Sequence, residues 1–179
     1  ILVDLRGRLR SRVKGINDLS FYPESYMVDN ALVDGAAFGR EHSREISRLV
    51  DIADLALQPF DRAKPQLKSA MNSGKPWERY WALITCSVFG SQARTLAVEV
   101  RPLLNDQNPM VQVRAAEFLG SILVADPMPT LYGVLNSSES HQELLLAFNT
   151  VTYLRDFKGH AFDIGKLKLK LSQGEFTRR

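Results

Sequence analysis

The sequence predicts an all-α fold, an α-solenoid (α–α superhelix) of about three stacked helical hairpins with linking helices before it. Two observations carry this reading. Apolar residues recur at spacings of three and four over most of the chain. A helix–turn–helix pattern also repeats at an offset of about 33 residues. Composition sets the outer bounds. The chain has 179 residues, 45% hydrophobic and 24% charged, which is close to the globular average and long enough for a continuous core. These values exclude a collagen-like rod and a disulfide-stapled miniprotein. No apolar run approaches the ~20 residues of a membrane span. Because it starts at Ile1 and not at Met, the chain is expected to be a piece of something longer.

The first helix is predicted over Ile1 to Lys14, where Leu2, Leu5, Leu9 and Val13 share one face and Gly15 is a natural stop. Residues 16–24 read as a loop, with Pro23 and Glu24 suited to the first turn of a short helix reaching Leu32. Residues 33–43 contain Asp34-Gly35 and Gly39 and are expected to be loop. From Arg44 the spacing of Ile46, Leu49, Val50 and Ala53 predicts a helix that ends before Pro59. Another runs from Phe60 to Met71, with Pro65 awkwardly placed inside it.

The repeat begins there. Leu67 to Arg79 and Val100 to Gln112 both show an apolar helix end, an Asn-Ser or Asn-Asp turn, a proline, and a second helix. Those second helices are predicted over Glu78–Phe89 and Val111–Ile122. A looser third copy starts at Leu131, turns at Asn136-Ser137-Ser138 and continues in a helix from Gln142 to Leu154. The turn residues accept backbone hydrogen bonds and break the first helix. Proline opening the second helix costs no hydrogen bond. One hairpin cannot bury its own apolar face, but stacked neighbours share a core. At the end of the chain, Ile164, Leu167, Leu169 and Leu171 alternate with Lys166, Lys168 and Lys170, a period of two that argues for a strand or extended segment. That segment would lie along the last repeat, pair with another chain or belong to a tail, and Ser172 to Arg179 are expected to be disordered.

The repeats resemble HEAT repeats over residues 67–154, through Asn105-Asp106, Pro109, Val111, Ala115-Ala116 and Gly120. The family commonly places an arginine two residues after the turn's Val position, a place that holds Arg79 in one copy and Gln112 in the next. A narrower resemblance covers most of the chain. Leu2 to Arg12, followed by Ile16 to Glu24, is similar to the closing segment of bacterial sulfatases of the heparan-sulfatase-like and arylsulfatase-like kind. Some of these continue into HEAT repeats containing Arg-Tyr-Trp-Ala, as in Arg79 to Ala82, and Val-Arg-x-x-Ala-Ala-Glu-x-Leu-Gly, which Val111 to Gly120 match except at Gln112. The resemblance implies a right-handed HEAT-like solenoid. It also implies three regions: 1–43 closing a sulfatase-like domain, 44–160 forming the repeats, and 161–179 a basic tail. The parent would be a sulfuric ester hydrolase using formylglycine and calcium, periplasmic or secreted.

The parent's catalytic motif, Cys-x-Pro-x-Arg or Ser-x-Pro-x-Arg, is missing. Cys86-Ser87-Val88-Phe89-Gly90 lacks both Pro and Arg, so Cys86 does not take the nucleophile's role and reads as a buried thiol. No phosphate-cradling loop or nucleophile elbow occurs, and His42, His141 and His160 lack a zinc spacing. No catalytic, cofactor-binding or metal residue is therefore expected in this chain. Asp51 and Asp54 share a helix face and fit a solvated surface. Net charge is +3 with a pI of about 9.1, concentrated at both ends. The candidate interaction surface comprises Arg6 and Arg10, Trp77 and Arg79, and Lys166, Lys168 and Lys170. Within the group Trp77, Tyr80 and Trp81, the competing reading puts Trp81 in the inter-repeat core and Trp77 at a partly exposed turn. Expected partners are the sulfatase catalytic domain in cis, another copy or protein, or a sulfated substrate. A stand-alone interaction adaptor is the rival reading. A nucleic-acid-binding module would need an aligned basic groove, and basic ends around an acidic middle argue against it.

Overall fold

The computed structural model describes residues 2–170, and the described residues are helical with no strand. The helices are α1 (Leu2–Gly15), α2 (Glu24–Asn30), α3 (Gly35–Glu41), α4 (Ser43–Ala53), α5 (Phe60–Met71), α6 (Pro76–Phe89), α7 (Ala97–Val100), α8 (Pro109–Ser121), α9 (Met128–Ser137) and α10 (His141–Lys158). Their ends carry the expected chemistry. The side chains of Asn108 and Ser140 accept from the first free N–H groups of α8 and α10. Gly90 and Gly159 take the positive φ that follows α6 and α10, at 56° and 74°.

Three local expectations are corrected. Residues 35–41 form α3 and not a loop, because Asp34 acts as an N-cap, its carboxylate accepting from Ala37 N–H at 2.8 Å. Gly39 serves packing there, since a Cβ would sit 3.3 Å from the Asn17 side chain. The first helix of the second hairpin is broken. Residues Gly90–Leu96 and Arg101–Asn105 are 3₁₀ turns on either side of α7, and Pro102 denies the second turn a backbone donor. The last helix runs on to Lys158, about one turn of largely exposed residues past its last buried residue, Leu154, and is capped at Gly159. α5, by contrast, continues through Pro65 inside the helix.

α4 and α5 both pack on α6, α6 packs on α8, and α8 packs on α9 and α10. α1 lies against α4. The buried residues run from Tyr22 to Leu154, in two clusters bridged by Leu104 and Leu146. The same turn bond recurs before α6, α8 and α10. Ser73 Oγ accepts from Lys75 N at 3.2 Å, Asp106 Oδ1 from Asn108 N at 2.9 Å, and Ser138 Oγ from Ser140 N at 3.0 Å. Arg79 and Gln112 also play one local part. Each reaches back six residues to a turn carbonyl, of Ser73 at 2.8 Å and of Asp106 at 2.6 Å.

Among the described residues, which end at Lys170, the tail forms no strand and instead takes the other expected course, along the last repeat. Ile164–Lys166 is a 3₁₀ turn, and the following residues lie along α9. Asn136 supplies what a neighbouring strand would. Its Nδ2 donates to Lys166 O at 3.1 Å and its Oδ1 accepts from Lys168 N at 2.6 Å. The Tyr132 hydroxyl accepts from Asp163 N at 2.7 Å, and the Phe162 ring stacks on Tyr132 at 5.3 Å. The expected disorder of Ser172 to Arg179 lies outside the described residues.

Candidate interaction surface

α1 meets the rest of the molecule along a narrow line. Arg10 pairs with Asp51 and, at 3.2 Å, with Asp54, and Lys14 reaches Asp51 at 2.5 Å. Val13 packs on the core. Asp51 and Asp54 are thus a clasp and not a solvated face, because basic residues four apart on α1 lie opposite them. Burial pushes the Asp51 carboxyl up, but hydrogen bonds from Arg10 and Lys14 outweigh it and hold the group below its ordinary value. Of the apolar face read from the sequence, Leu5 and Leu9 are not turned inward. Leu5 is 55% exposed and Leu9 65%. Beside them, between α1 and the turn after α4, is a cleft of about 390 Å³ lined by Leu9, Val13, Phe21, Val50 and Leu57, with Arg6 and Gln58 at its edge. Leu57 is itself 53% exposed. Spacing alone marked Leu5 and Leu9 as apolar but could not show that α4 engages the neighbouring face.

The other predicted surface residues divide. Trp77 is buried, its ring 5.0 Å from Tyr26 and 6.0 Å from Tyr80, because α2 folds back over the start of α6. It is core, and both the interaction reading and the partly exposed reading are corrected. Trp81 is the half-buried one, donating its indole N–H to Phe21 O at 2.7 Å. Arg79 is also withdrawn from the surface. Its guanidinium grips Asp106 with two bonds, 2.7 and 2.8 Å, and joins the turns of successive hairpins. Lys166, Lys168 and Lys170 are held on the α9 side of the molecule, away from α1. Lys166 lies over the Tyr132 ring and Lys170 pairs with Glu139 at 3.6 Å. Arg6 alone of the predicted residues lies on the α1 cleft without an ion pair among the described residues.

A smaller polar cleft of about 210 Å³ lies between α8 and α10. Arg114 there donates to Glu117 at 2.5 Å and to the Tyr80 hydroxyl at 3.0 Å, so its charge is answered within the molecule. Cys86 is buried in α6, and burial pushes its thiol up to about 12, away from nucleophilic thiolate chemistry. No group of three His, Cys, Asp or Glu side chains is placed to hold a metal among the described residues, and no described helix is long and apolar enough to cross a membrane. No family model, curated protein or solved structure matches the chain.

Proposed function

We propose that this chain is a non-catalytic helical-repeat module, a HEAT-like solenoid of about three hairpins forming the C-terminal part of a sulfatase-like hydrolase. Its work is to pack on a catalytic domain in cis and to offer a surface to partners or sulfated substrate. The observation that carries the reading is the turn repeated at Ser73, Asp106 and Ser138, each placed before one of the stacked helices α6, α8 and α10. The sulfatase parentage rests on the sequence resemblance over Leu2 to Glu24 and Arg79 to Gly120. Calcium and formylglycine would belong to the rest of the parent. The residues here do not fit them, since Cys86 is buried outside a Cys-x-Pro-x-Arg context.

The gene upstream of Ile1 tests this. A long reading frame with Cys-x-Pro-x-Arg or Ser-x-Pro-x-Arg near its start supports it, and a start codon just before Ile1 overturns it. In the second case the stand-alone adaptor takes its place, favoured by the exposed leucines of α1. A nucleic-acid role gains nothing from the geometry, because Arg10 and Lys170 are both answered by carboxylates.

A further inference from the structure

We infer that the outer side of α1, with Leu57, is a docking groove for an acidic amphipathic helix. The inference rests on reading the chain as an interaction module, and names the chemistry of the partner. Leu5 and Leu9 stand one turn apart on α1 and face water, beside the open cleft walled by Leu57. An apolar strip of this kind is what a partner helix covers when it lies in a groove. At ~100° per residue, Arg8 and Arg12 fall on one flank of that strip and Arg6 and Arg10 on the other. Two of the four are already answered, Arg8 by Asp4 and Arg10 by Asp51 and Asp54. Arg6 and Arg12 are exposed, one on each flank, with no ion pair among the described residues. The complement is a leucine strip flanked by carboxylates. A second copy of α1 would set arginine against arginine. A flat membrane surface would not reach into a cleft recessed between α1 and the turn after α4.

The test uses the full chain and two fluorescein-labelled helical peptides with leucines at helical spacing, one flanked by glutamates and its twin by lysines. Anisotropy should show saturable binding of the glutamate peptide alone, weakening as salt rises. Leu9→Asp should cut affinity by about tenfold or more. Arg6→Glu with Arg12→Glu should do the same and admit the lysine twin. These side chains are exposed, so far-UV circular dichroism should be unchanged. Equal binding of the twins, binding of neither, concentration-dependent dimers lost with Leu9→Asp, or preference for anionic vesicles would each overturn the inference. A sulfatase frame upstream with no peptide bound sinks the groove and leaves the parentage. Glutamate-peptide binding with no such frame does the reverse.

Discussion

A methyl group on Gly120 would lie 2.8 Å from Pro127 Cγ and 3.1 Å from Leu154 Cδ2. The proline ring cannot rotate away, so Gly120→Ala should destabilise by about 1–3 kcal/mol despite alanine's better helix propensity. Gly133 in α9 has open space around it, and Gly133→Ala should stabilise by about 0.5–1 kcal/mol. Urea midpoints moving the same way in both variants would refute the packing argument. Asp106 is a second critical position, its side chain 5% exposed against Arg79 at 14%. Asp106→Ala strands a nearly buried guanidinium and should cost about 3–5 kcal/mol. The pair Arg79→Ala with Asp106→Ala should cost clearly less than the two single changes added. Such roles were half legible. The sequence placed Arg79 and Asp106 at their turns, but only the stacking of hairpins brings them together. The exchange of places between Trp77 and Trp81 has the same cause, since the helix that covers Trp77 lies about fifty residues earlier.

Elements were legible wherever periodicity and caps agreed. α5, α6 and α8 fall within two residues of their predicted spans, and Pro76 and Pro109 stand in their helices' first turns. α3 was missed because Asp-Gly reads as a turn when no long apolar run follows, although the same aspartate makes a good N-cap. The interrupted stretch from Gly90 to Asn105 was missed because apolar spacing does not separate 3₁₀ from α. α1 was found, and its attachment was not. That attachment is polar and exposes a prediction. The folded-state carboxyl of Asp51 lies below its ordinary value, so the clasp's contribution is present above the ordinary aspartate range. It is lost as pH falls through the depressed folded value. Asp51→Asn should reproduce that loss at neutral pH. Trypsin should then cut at Arg6 to Lys14 faster than in the parent chain, while the far-UV signal of the other helices holds. Unchanged cutting would show that Val13 and the Arg10–Asp54 pair are enough to keep α1 in place.

Across the whole molecule, the two buried clusters meet through Leu104 and Leu146, and α6 is enclosed by α4, α5 and α8. Such a core opens as a unit, whereas α1 and the segment along α9 are joined to it by few buried atoms. The pairing of α5 with α6 and of α9 with α10 was readable from the sequence, and the tail's place beside α9 was one of three routes left open, which the Asn136 amide decides by holding the returning chain. Cys86 reports on this division. It is fully buried in the last turn of α6, with a thiol pushed up to about 12, so a thiol reagent at neutral pH should reach it only after the core opens. In the regime of rapid reclosing, its labelling rate follows the free energy of that opening. Asp51→Asn releases α1 alone and should leave the rate unchanged. Asp106→Ala loosens the join between the turns before α6 and α8 and should raise it by about 10²–10⁴-fold, the counterpart of its expected cost. If Asp51→Asn accelerated labelling as much as Asp106→Ala, α1 would be part of the cooperative core, and its exposed leucines would need another explanation than a partner.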